Sequence, residues 1–313
     1  MALAGVLRAQ TPTPRPPAAP EPPASADDVV RFRGGADVVV LHVSVRDRRG
    51  RDLDNLPQSA FTVMEDDVAQ PITLFTNEDA PVTVGLIIDS SVSMLPIRDQ
   101  VIAAAAAFAE ASHPRDDMFA LAFNERVRPA LPERAPFTAD PGVLRTALMS
   151  TIEARGRTAL FDAVSAGLDY VTRGQFERRM LVVISDGGDN ASRTPFDRLM
   201  AKVQASNAVI FTVALQDPYS PGGDTKTLRT LADASGGQTF APKNMKDVVE
   251  ALGVIAHELR HSYTIGYAVP HPDRAGTRRI RVDVEPPDDQ RVVVRSRTSY
   301  RVGEPQADGL PLR

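Results

Sequence analysis

The chain has 313 residues, of which 42% are hydrophobic and 24% are charged, a composition typical of globular proteins that excludes wholesale disorder, collagen and coiled coil. With 36 Lys and Arg against 40 Asp and Glu, the formal net charge of −4 gives no basic excess of the kind that marks nucleic-acid binding. The lack of cysteine in the sequence excludes disulfides, thiolate metal sites and cysteine nucleophiles.

Residues 1–29 predict a leader remnant followed by a tether. The first ten, MALAGVLRAQ, are small and apolar like the end of a secretory leader, although the basic start of such a leader is missing. Residues 11–26, TPTPRPPAAPEPPASA, are about half proline, which predicts a disordered, extended segment. We therefore expect export to the periplasm, the cell surface or the medium, with a cytoplasmic N-terminus as the alternative. The longest apolar run, Val101 to Ala109, is shorter than the ~20 residues of a membrane span, so no transmembrane segment is predicted.

Residues 30–79 predict a small all-β segment. ADVVVLHVSVRD alternates β-branched with polar residues, as a half-buried strand does, and FTVMED and PITLFT are two further short strands. Three strands have little core of their own, so this segment requires a partner that covers its apolar face.

From residue 80 onward, buried strands alternate with helices. The predicted strands are VTVGLIID, FALAF, which forms a hairpin with VRPAL, MLVVIS, VIFTVAL and QTF. The predicted helices are at residues 96–112, 141–153, 159–172, 195–206, 224–235 and 244–260. This alternation predicts a doubly wound, three-layer α/β/α domain of the Rossmann-like class over residues 80–261.

After residue 261 the β pattern returns in SYTIGYAV, RRIRVDVE and RVVVRSR. Residues 262–300 have the same shortage of core as residues 30–79. We therefore expect the two segments to pair as one β-sandwich-like module, into which the α/β domain is inserted. Residues 301–313 are expected to form a tail, and the sequence leaves the oligomeric state open.

Polar residues stand where three predicted connections meet the carboxyl edge of the α/β sheet, the edge at which such sheets bind ligands. Asp89 ends the first strand, and Ser91 and Ser93 follow it in the same loop. Thr158 stands at a predicted helix start, and Asp186 follows the strand MLVVIS. Two carboxylates and three hydroxyls form an all-oxygen set, which suits a hard cation such as Mg²⁺ or Mn²⁺.

This arrangement resembles the metal-ion-dependent adhesion site of the von Willebrand factor A domain. The family's signature is D-x-S-x-S after the first strand, a threonine before the third helix and an aspartate after the fourth strand, and all five positions are matched here. The resemblance covers about residues 80–261. ISDGGDN, EDDVAQPI and LRHSYTIGY are further similar to a bacterial subgroup of such proteins described from Acidobacteria, in which β segments also flank the A domain.

The resemblance implies that the hydroxyls of Ser91, Ser93 and Thr158 bind Mg²⁺ or Mn²⁺ directly, while Asp89 and Asp186 act directly or through water. In this family, an Asp or Glu carboxylate of a protein partner fills the open coordination position. The expected function is metal-dependent protein binding in adhesion or assembly, without catalysis. The alternative is a non-catalytic scaffold with a vestigial metal site, whose Ser and Asp residues only cap helices and turns.

Three neighbouring residues have less specific expectations. Asp189 and Asn190 match no ligand of the family and are expected to be turn residues. Arg157 stands where the family often has glycine, and it either steers an acidic partner or faces solvent.

His257, Glu258 and His261 satisfy H-E-x-x-H, which on a continuous helix places two imidazoles on one face for zinc, with the glutamate as base. A zinc metallopeptidase is therefore a further alternative function. Because the strand pattern SYTIGYAV begins directly after His261, we expect the two rings to diverge at the solvated end of a helix. No G-x-S-x-G elbow or glycine-rich phosphate-binding motif is present in the sequence, so neither a serine hydrolase nor a nucleotide-binding protein is predicted.

Overall fold

The computed structural model describes residues 30–31, 37–77, 79–215, 225–258, 260–272, 274–287 and 290–302. The predicted leader and tether, Leu259 of the last predicted helix, and residues 303–313 of the predicted tail lie outside the described residues. The strands within the described ranges are β1 (Val30–Arg31), β2 (Asp37–Asp47), β3 (Phe61–Glu65), β4 (Val68–Gln70), β5 (Leu74–Thr76), β6 (Thr83–Asp89), β7 (Asp117–Phe123), β8 (Val127–Pro129), β9 (Arg179–Ser185), β10 (Val209–Ala214), β11 (Thr239–Phe240), β12 (Tyr263–Ala268), β13 (Gly276–Val284), β14 (Val292–Arg295) and β15 (Ser299–Val302). The α-helices are α1 (Arg98–Ala111), α2 (Pro141–Thr151), α3 (Leu160–Val171), α4 (Phe196–Ala205), α5 (Thr225–Ser235) and α6 (Met245–Glu258), and short 3-10 helices cover Gln58–Ala60 and Val92–Ile97.

The central sheet has the strand order β11-β10-β9-β6-β7-β8, and its pairs are parallel except for the β7–β8 hairpin. Helices α1, α2 and α6 supply apolar side chains to the core on one face, and α3, α4 and α5 supply them to the core on the other. Every residue of β6 is buried, as expected for a strand covered on both faces. The predicted three-layer, Rossmann-like fold class is confirmed.

The position of β6 defines where a ligand site can form. β6 pairs with β7 on one side and β9 on the other, and the chain runs from β6 to β7 and then returns past β6 to β9, so the strand order reverses at β6. The helices of these two crossings, α1 and α3, lie on opposite faces of the sheet. Such a reversal opens a crevice at the carboxyl ends of the strands. Asp89, the last residue of β6, lies at this point.

The flanking β segments pair with each other. In one sheet β2 pairs with β12 and β14, and β12 also pairs with β5; in the other, the strand order is β15-β13-β3-β4. The two sheets enclose a third core, which includes Leu41, Val63 and Tyr263. The EDDVAQPI and LRHSYTIGY stretches meet here, because the Tyr267 hydroxyl donates a 2.8 Å hydrogen bond to the buried Glu65 carboxylate.

Three boundaries differ from the sequence predictions. The first helix begins at Arg98 rather than at residue 96, because Pro96 lies in the preceding 3-10 helix and its ring nitrogen cannot donate a hydrogen bond. The last helix is assigned only to Glu258. Residues 301–302 are not part of a tail, because they complete β15, which pairs antiparallel with β13.

The segment Val92–Ala111 is long and apolar enough to cross a membrane by length and composition, with a mean hydropathy of 1.3. Its α1 portion packs against the central sheet, where Val101, Ile102 and Phe108 are buried. A helix of a protein core passes the same test of length and composition.

The amino edge of the central sheet is joined to the β module by buried charges. Asp116, which precedes β7, is fully buried and accepts 2.9 Å hydrogen bonds from the backbone N–H groups of Val82 and His113. Its carboxylate also pairs with the guanidinium of Arg260, which leads into β12. Arg297, between β14 and β15, donates to the carbonyl groups of Gln204 and Ser206 ahead of β10.

Candidate metal centre

Three loops are pinned together at the carboxyl end of β6 by Ser90, which is fully buried. Its N–H donates to the carbonyl of Phe123 at the end of β7, at 2.6 Å. Its hydroxyl oxygen accepts hydrogen bonds from the N–H groups of Glu153 and Ala154, at 2.9 and 3.2 Å. Ser90 therefore ties the loop after β6 to the α2–α3 connection, a role that the D-x-S-x-S pattern leaves unspecified.

Asp89 is buried beneath these loops, and both of its carboxylate oxygens are engaged. Oδ1 accepts from the N–H of Ser91 at 2.8 Å, and Oδ2 accepts from the hydroxyl of Ser185 at 2.7 Å. The pKa of Asp89 is raised to about 6, chiefly by burial and also by the negative charge of Asp186, against the opposing effect of the hydrogen bonds from Ser91 and Ser185. A cation placed beside these two carboxylates would relieve both causes of the raised pKa.

The hydroxyl oxygens of Ser91 and Ser93 lie 3.0 Å apart. This spacing matches the distance of about 3.0 Å between adjacent ligands of an octahedral ion whose metal–oxygen bonds are about 2.1 Å, the geometry that Mg²⁺ requires. Ser91 is buried and Ser93 is partly exposed. The two hydroxyls, which bond to each other here, are therefore spaced as two adjacent ligands of such an ion would be, and Ser93 is reachable from solvent.

Thr158 and Asp186 lie in two loops that adjoin the serine loop. Gly156, two residues before Thr158, bonds to Val92, and Asp186 is close enough to Asp89 to affect its pKa. Oδ1 of Asp186 accepts from the N–H of Gly188 at 3.0 Å. Within the described ranges, the other Asp186 oxygen and the Thr158 hydroxyl have no hydrogen-bond partner. These unpaired oxygens, together with the two serine hydroxyls, fit a hard cation by their chemistry.

Asp189 and Asn190 do more than form a turn. The Asn190 side-chain oxygen accepts from the N–H of Thr158 at 3.0 Å, and the Asn190 N–H donates to the Thr158 carbonyl at 2.9 Å. Asp189 accepts from the N–H of Phe161 at 3.3 Å and from the hydroxyl of Ser192 at 2.5 Å. They therefore hold the start of α3 and the preceding residue Thr158 against the loop that carries Asp186. Sequence reasoning missed this role because the partners are 28 to 32 residues apart.

The backbone between α2 and α3 approaches the serine loop closely. The Val92 N–H donates to the Gly156 carbonyl at 3.2 Å, and Gly156 has a φ of +80°, which favours glycine. The neighbouring Arg157 is exposed, and its N–H donates to Oε1 of Glu125 at 3.2 Å. Arg157 thus stands at the solvent side of the cluster, in agreement with either of its two expected roles.

The H-E-x-x-H residues lie elsewhere, at the end of α6 beside the β module. Glu258 is buried, and its carboxylate is held by Arg295 at 2.8 Å and by Arg46 at 3.2 Å. The expectation that the two histidine rings diverge is wrong, because the rings of His257 and His261 stack with centroids 3.8 Å apart. The stacking follows from the hydrogen bond between Nδ1 of His261 and the carbonyl of His257, which turns the second ring back over the first.

The environment of this pair does not resemble a zinc peptidase site. Nε2 of His257 lies 3.0 Å from Oδ2 of Asp52, so it forms a side-chain pair within the described structure. The carboxylate of Glu258 is buried and occupied by two arginines, so it is not placed to act on a water molecule at a metal ion. Within the described residues, no group of three or more His, Asp or Glu side chains has an arrangement that could hold a metal ion.

Neither a protein-family model nor a curated protein sequence matches this chain. Solved structures do match its fold. A von Willebrand factor type A protein from Catenulispora acidiphila is 12% identical with a TM-score of 0.51, and the match covers 87% of this chain and 75% of that one. Proximal thread matrix protein 1 from the mussel byssus is 11% identical with a TM-score of 0.51, covering 63% and 51% of the two chains. An aerotolerance-related membrane protein from Bacteroides fragilis is 15% identical with a TM-score of 0.47, covering 56% and 99%.

At this identity the comparisons establish the fold alone. The chain has a von Willebrand factor A-like α/β fold with additional antiparallel sheets. The match to the Catenulispora protein covers more than residues 80–261, which make up about 58% of this chain, so part of the β module is included in it.

Proposed function

We propose that this protein is a metal-dependent protein-binding module for adhesion or assembly, which binds a partner's Asp or Glu side chain through Mg²⁺ or Mn²⁺. The observation that carries this proposal is the pair of hydroxyls of Ser91 and Ser93, 3.0 Å apart at the carboxyl end of β6. The adjoining loops carry Thr158 and Asp186, which have oxygens without a protein partner in the described structure. Neither the Thr158 hydroxyl nor the second Asp186 oxygen is shielded from solvent without a partner, so both are open to a ligand at the edge where sheets of this class bind one.

The position of each residue determines its role in the proposed metal site. Asp89 is fixed by Ser91 and Ser185 and supplies negative charge at the base of the site. The hydroxyls of Ser91, Ser93 and Thr158 would hold the ion directly, with Asp186 acting directly or through water. A bound divalent ion supplies an electrophilic position for a partner's carboxylate. Because the ion's ligands include neutral hydroxyls, its positive charge is only partly neutralised by the protein.

Apolar residues flank this cluster on the solvent side. Val92 and Leu95 belong to the 3-10 helix that carries Ser93, and they are 63% and 61% exposed. Single exposed apolar residues are common on protein surfaces, but two on the rim of a polar site match the anatomy of a protein interface, which combines apolar contact with a few oriented polar groups. They would pack against the residues next to the partner's carboxylate.

The proposal includes no chemical turnover. In the described structure the Ser91 and Ser93 hydroxyls bond to each other, and that of Ser91 also bonds to Asp89. None of these hydrogen bonds involves a histidine or lysine that could act as a base. The leader-like start and proline-rich tether of the sequence further support display outside the cytoplasm.

A scaffold with a vestigial metal site is the second candidate. It is favoured by the bonds of Ser90, Ser185 and Asn190, which hold the loops together without an ion. In that case the loops would be structural, and partner binding would be independent of divalent cations.

Selection of peptides from a random displayed library, on protein loaded with Mg²⁺, tests the proposal against the scaffold. We expect enriched peptides that contain Asp or Glu, that are released by EDTA, and that do not bind the Asp89→Ala variant. An Asp99→Ala variant is the matched control, because Asp99 is an exposed carboxylate on α1. Peptides that bind equally in EDTA and equally to Asp89→Ala protein would contradict the metal-dependent function and support the scaffold.

A further inference from the structure

An arginine-lined pocket lies beside the proposed metal site. It has a volume of about 430 Å³, and Asn124, Glu125, Arg126, Arg128, Arg155 and Gly156 line it. Its walls are the turn between β7 and β8 and the connection between α2 and α3. The pocket adjoins the serine loop, because Gly156 accepts the hydrogen bond of the Val92 N–H.

The pocket is rich in cations. The two segments that form it, residues 124–128 and 153–157, together hold four arginines and two glutamates. One glutamate, Glu153, pairs with both Arg128 and Arg155, and these arginines lower its pKa, chiefly through the hydrogen bond from Arg128. Glu153 therefore orients both guanidinium groups without cancelling the positive charge of the pocket.

Arg128 has hydrogen-bonding capacity that the chain does not use. Its Nη1 donates to Oε1 of Glu153 at 3.0 Å. Its Nε and Nη2 atoms are shielded from solvent and have no hydrogen-bond partner within the described part of the chain. Shielded donors of a charged group cost free energy when they are left unpaired, so a carboxylate that draws the partly exposed Arg128 guanidinium into the pocket would gain these hydrogen bonds.

We infer that this pocket binds a second carboxylate of the same partner, so that the protein recognises a pair of acidic side chains rather than one. This inference rests on the proposed function of the neighbouring metal site. The planar fork of an arginine matches a carboxylate well, and a charge-assisted contact of this kind gives geometric specificity that a metal ion alone lacks. The partner is therefore an acidic peptide segment, in which one carboxylate reaches the ion and a nearby one reaches Arg128 and Arg155.

Labelled synthetic peptides made of glycine and serine, with either one glutamate or two glutamates separated by one to five residues, provide the test. In Mg²⁺ we expect the best two-glutamate peptide to bind the full-length protein about tenfold more tightly than the one-glutamate peptide. Arg155→Ala and Arg128→Met should each reduce that preference, while the Mg²⁺ dependence of one-glutamate binding persists. Arg229→Ala is the matched control, because it removes an exposed arginine from α5, which packs against β10 on the far side of β6.

The outcomes separate this inference from the proposed function. Equal affinity of both peptide types, or a preference that survives both arginine substitutions in variants with unchanged melting temperatures, would overturn the two-carboxylate pocket and leave the metal site intact. A preference for paired glutamates that is unchanged in EDTA would instead overturn the metal-dependent function and keep the pocket. High salt should weaken the contribution of the exposed Arg155 more than that of the shielded Arg128.

Discussion

Both edges of the central sheet carry a buried carboxylate, but only the one at the amino edge is paired with a cation. At the amino edge, Asp116 is matched by two backbone donors and by Arg260, so a single buried carboxylate is fully paired. At the carboxyl edge, Asp89 and Asp186 are close enough for one charge to raise the pKa of the other, and no cation of the chain pairs with either in the described structure.

This difference suits the amino-edge carboxylate to a structural role and the carboxyl-edge carboxylates to ligand binding. At the amino edge, hydrogen bonds and ion pairs in which every charged group has a partner stabilise the junction between the α/β domain and the β module. At the carboxyl edge, carboxylates without a cationic partner lower the stability of the folded protein. A bound cation can remove this loss, as is common at binding sites. Burial by itself does not distinguish the two edges, because Asp89 and Asp116 are both fully buried.

The largest effect is expected at the amino edge. Asp116→Ala leaves Arg260 and two backbone N–H groups without their carboxylate partner, so we expect a loss of about 3–5 kcal/mol in the free energy of unfolding. Denaturant unfolding measures it, with Asp99→Ala as the control, whose side chain is 88% exposed and should cost less than about 1 kcal/mol. Equal losses in the two variants would show that the junction is not held by this pair.

The carboxyl edge should respond in the opposite direction. Asp89→Asn removes a buried charge but keeps a group that can bond to Ser91 and Ser185, so in EDTA at neutral pH we expect a gain of about 2 kcal/mol. The folded pKa of Asp89, about 6, lies above its usual value, so the native state retains its proton more strongly than the unfolded state. The stability of the metal-free protein should therefore fall as the pH rises from about 4 to about 6, and Asp89→Asn should lack this fall. A destabilised, equally pH-dependent variant would contradict this account of Asp89.

His42, on β2 beside the junction, gives a pH dependence of the opposite sign. Burial, reinforced by the charges of Arg178 and Arg297, lowers its pKa from 6.5 to about 3. The unfolded chain therefore binds a proton below pH 6.5 that the folded chain does not, and about 2 kcal/mol of stability should be lost between pH 6.5 and 5. Melting temperatures of wild type and His42→Gln across this range measure it, and parallel curves would show that His42 is not responsible.

The smallest effect on stability is expected at the rim of the site. Replacing Val92 and Leu95 by serine should change the free energy of unfolding by less than about 0.5 kcal/mol, since both are exposed. The same double substitution should weaken the binding of Mg²⁺-dependent peptides several-fold. Val68→Ser, at a β4 position that is 62% exposed, is the matched control and should leave binding unchanged. An equal effect of both substitutions on binding would remove the rim from the interface.

Much of this fold could be predicted from the hydrophobic patterns of the sequence. The continuous apolar runs of β6 and β9 predict buried parallel strands, and the structure places these strands side by side. The flanking β segments could also be predicted to pair, because neither has a sufficient core. The strand β15 was missed because SYRV is short and becomes a strand only through its pairing with β13.

The sequence predicts the candidate ligand residues of the site, but not the residues that hold their loops in place. Asp89, Ser91 and Ser93 form a local pattern, whereas Ser185 and Asn190 act through partners 96 and 32 residues away. The stacked rings of His257 and His261 depended on a side chain to backbone hydrogen bond that no spacing rule predicts. Long-range side-chain contacts are therefore the part of the site that required the structure.

Thermal unfolding of the EDTA-treated protein, titrated with Mg²⁺ and Mn²⁺ in wild type and Asp89→Asn, tests the central claim most directly. A ligand that binds only the native state stabilises it by about 2.7 kcal/mol at a hundredfold excess over its dissociation constant. We predict a saturable rise in the melting temperature of the wild type and none in Asp89→Asn. No rise in the wild type, or an equal rise in both proteins, would contradict the assignment of the metal site to Asp89 and its neighbours.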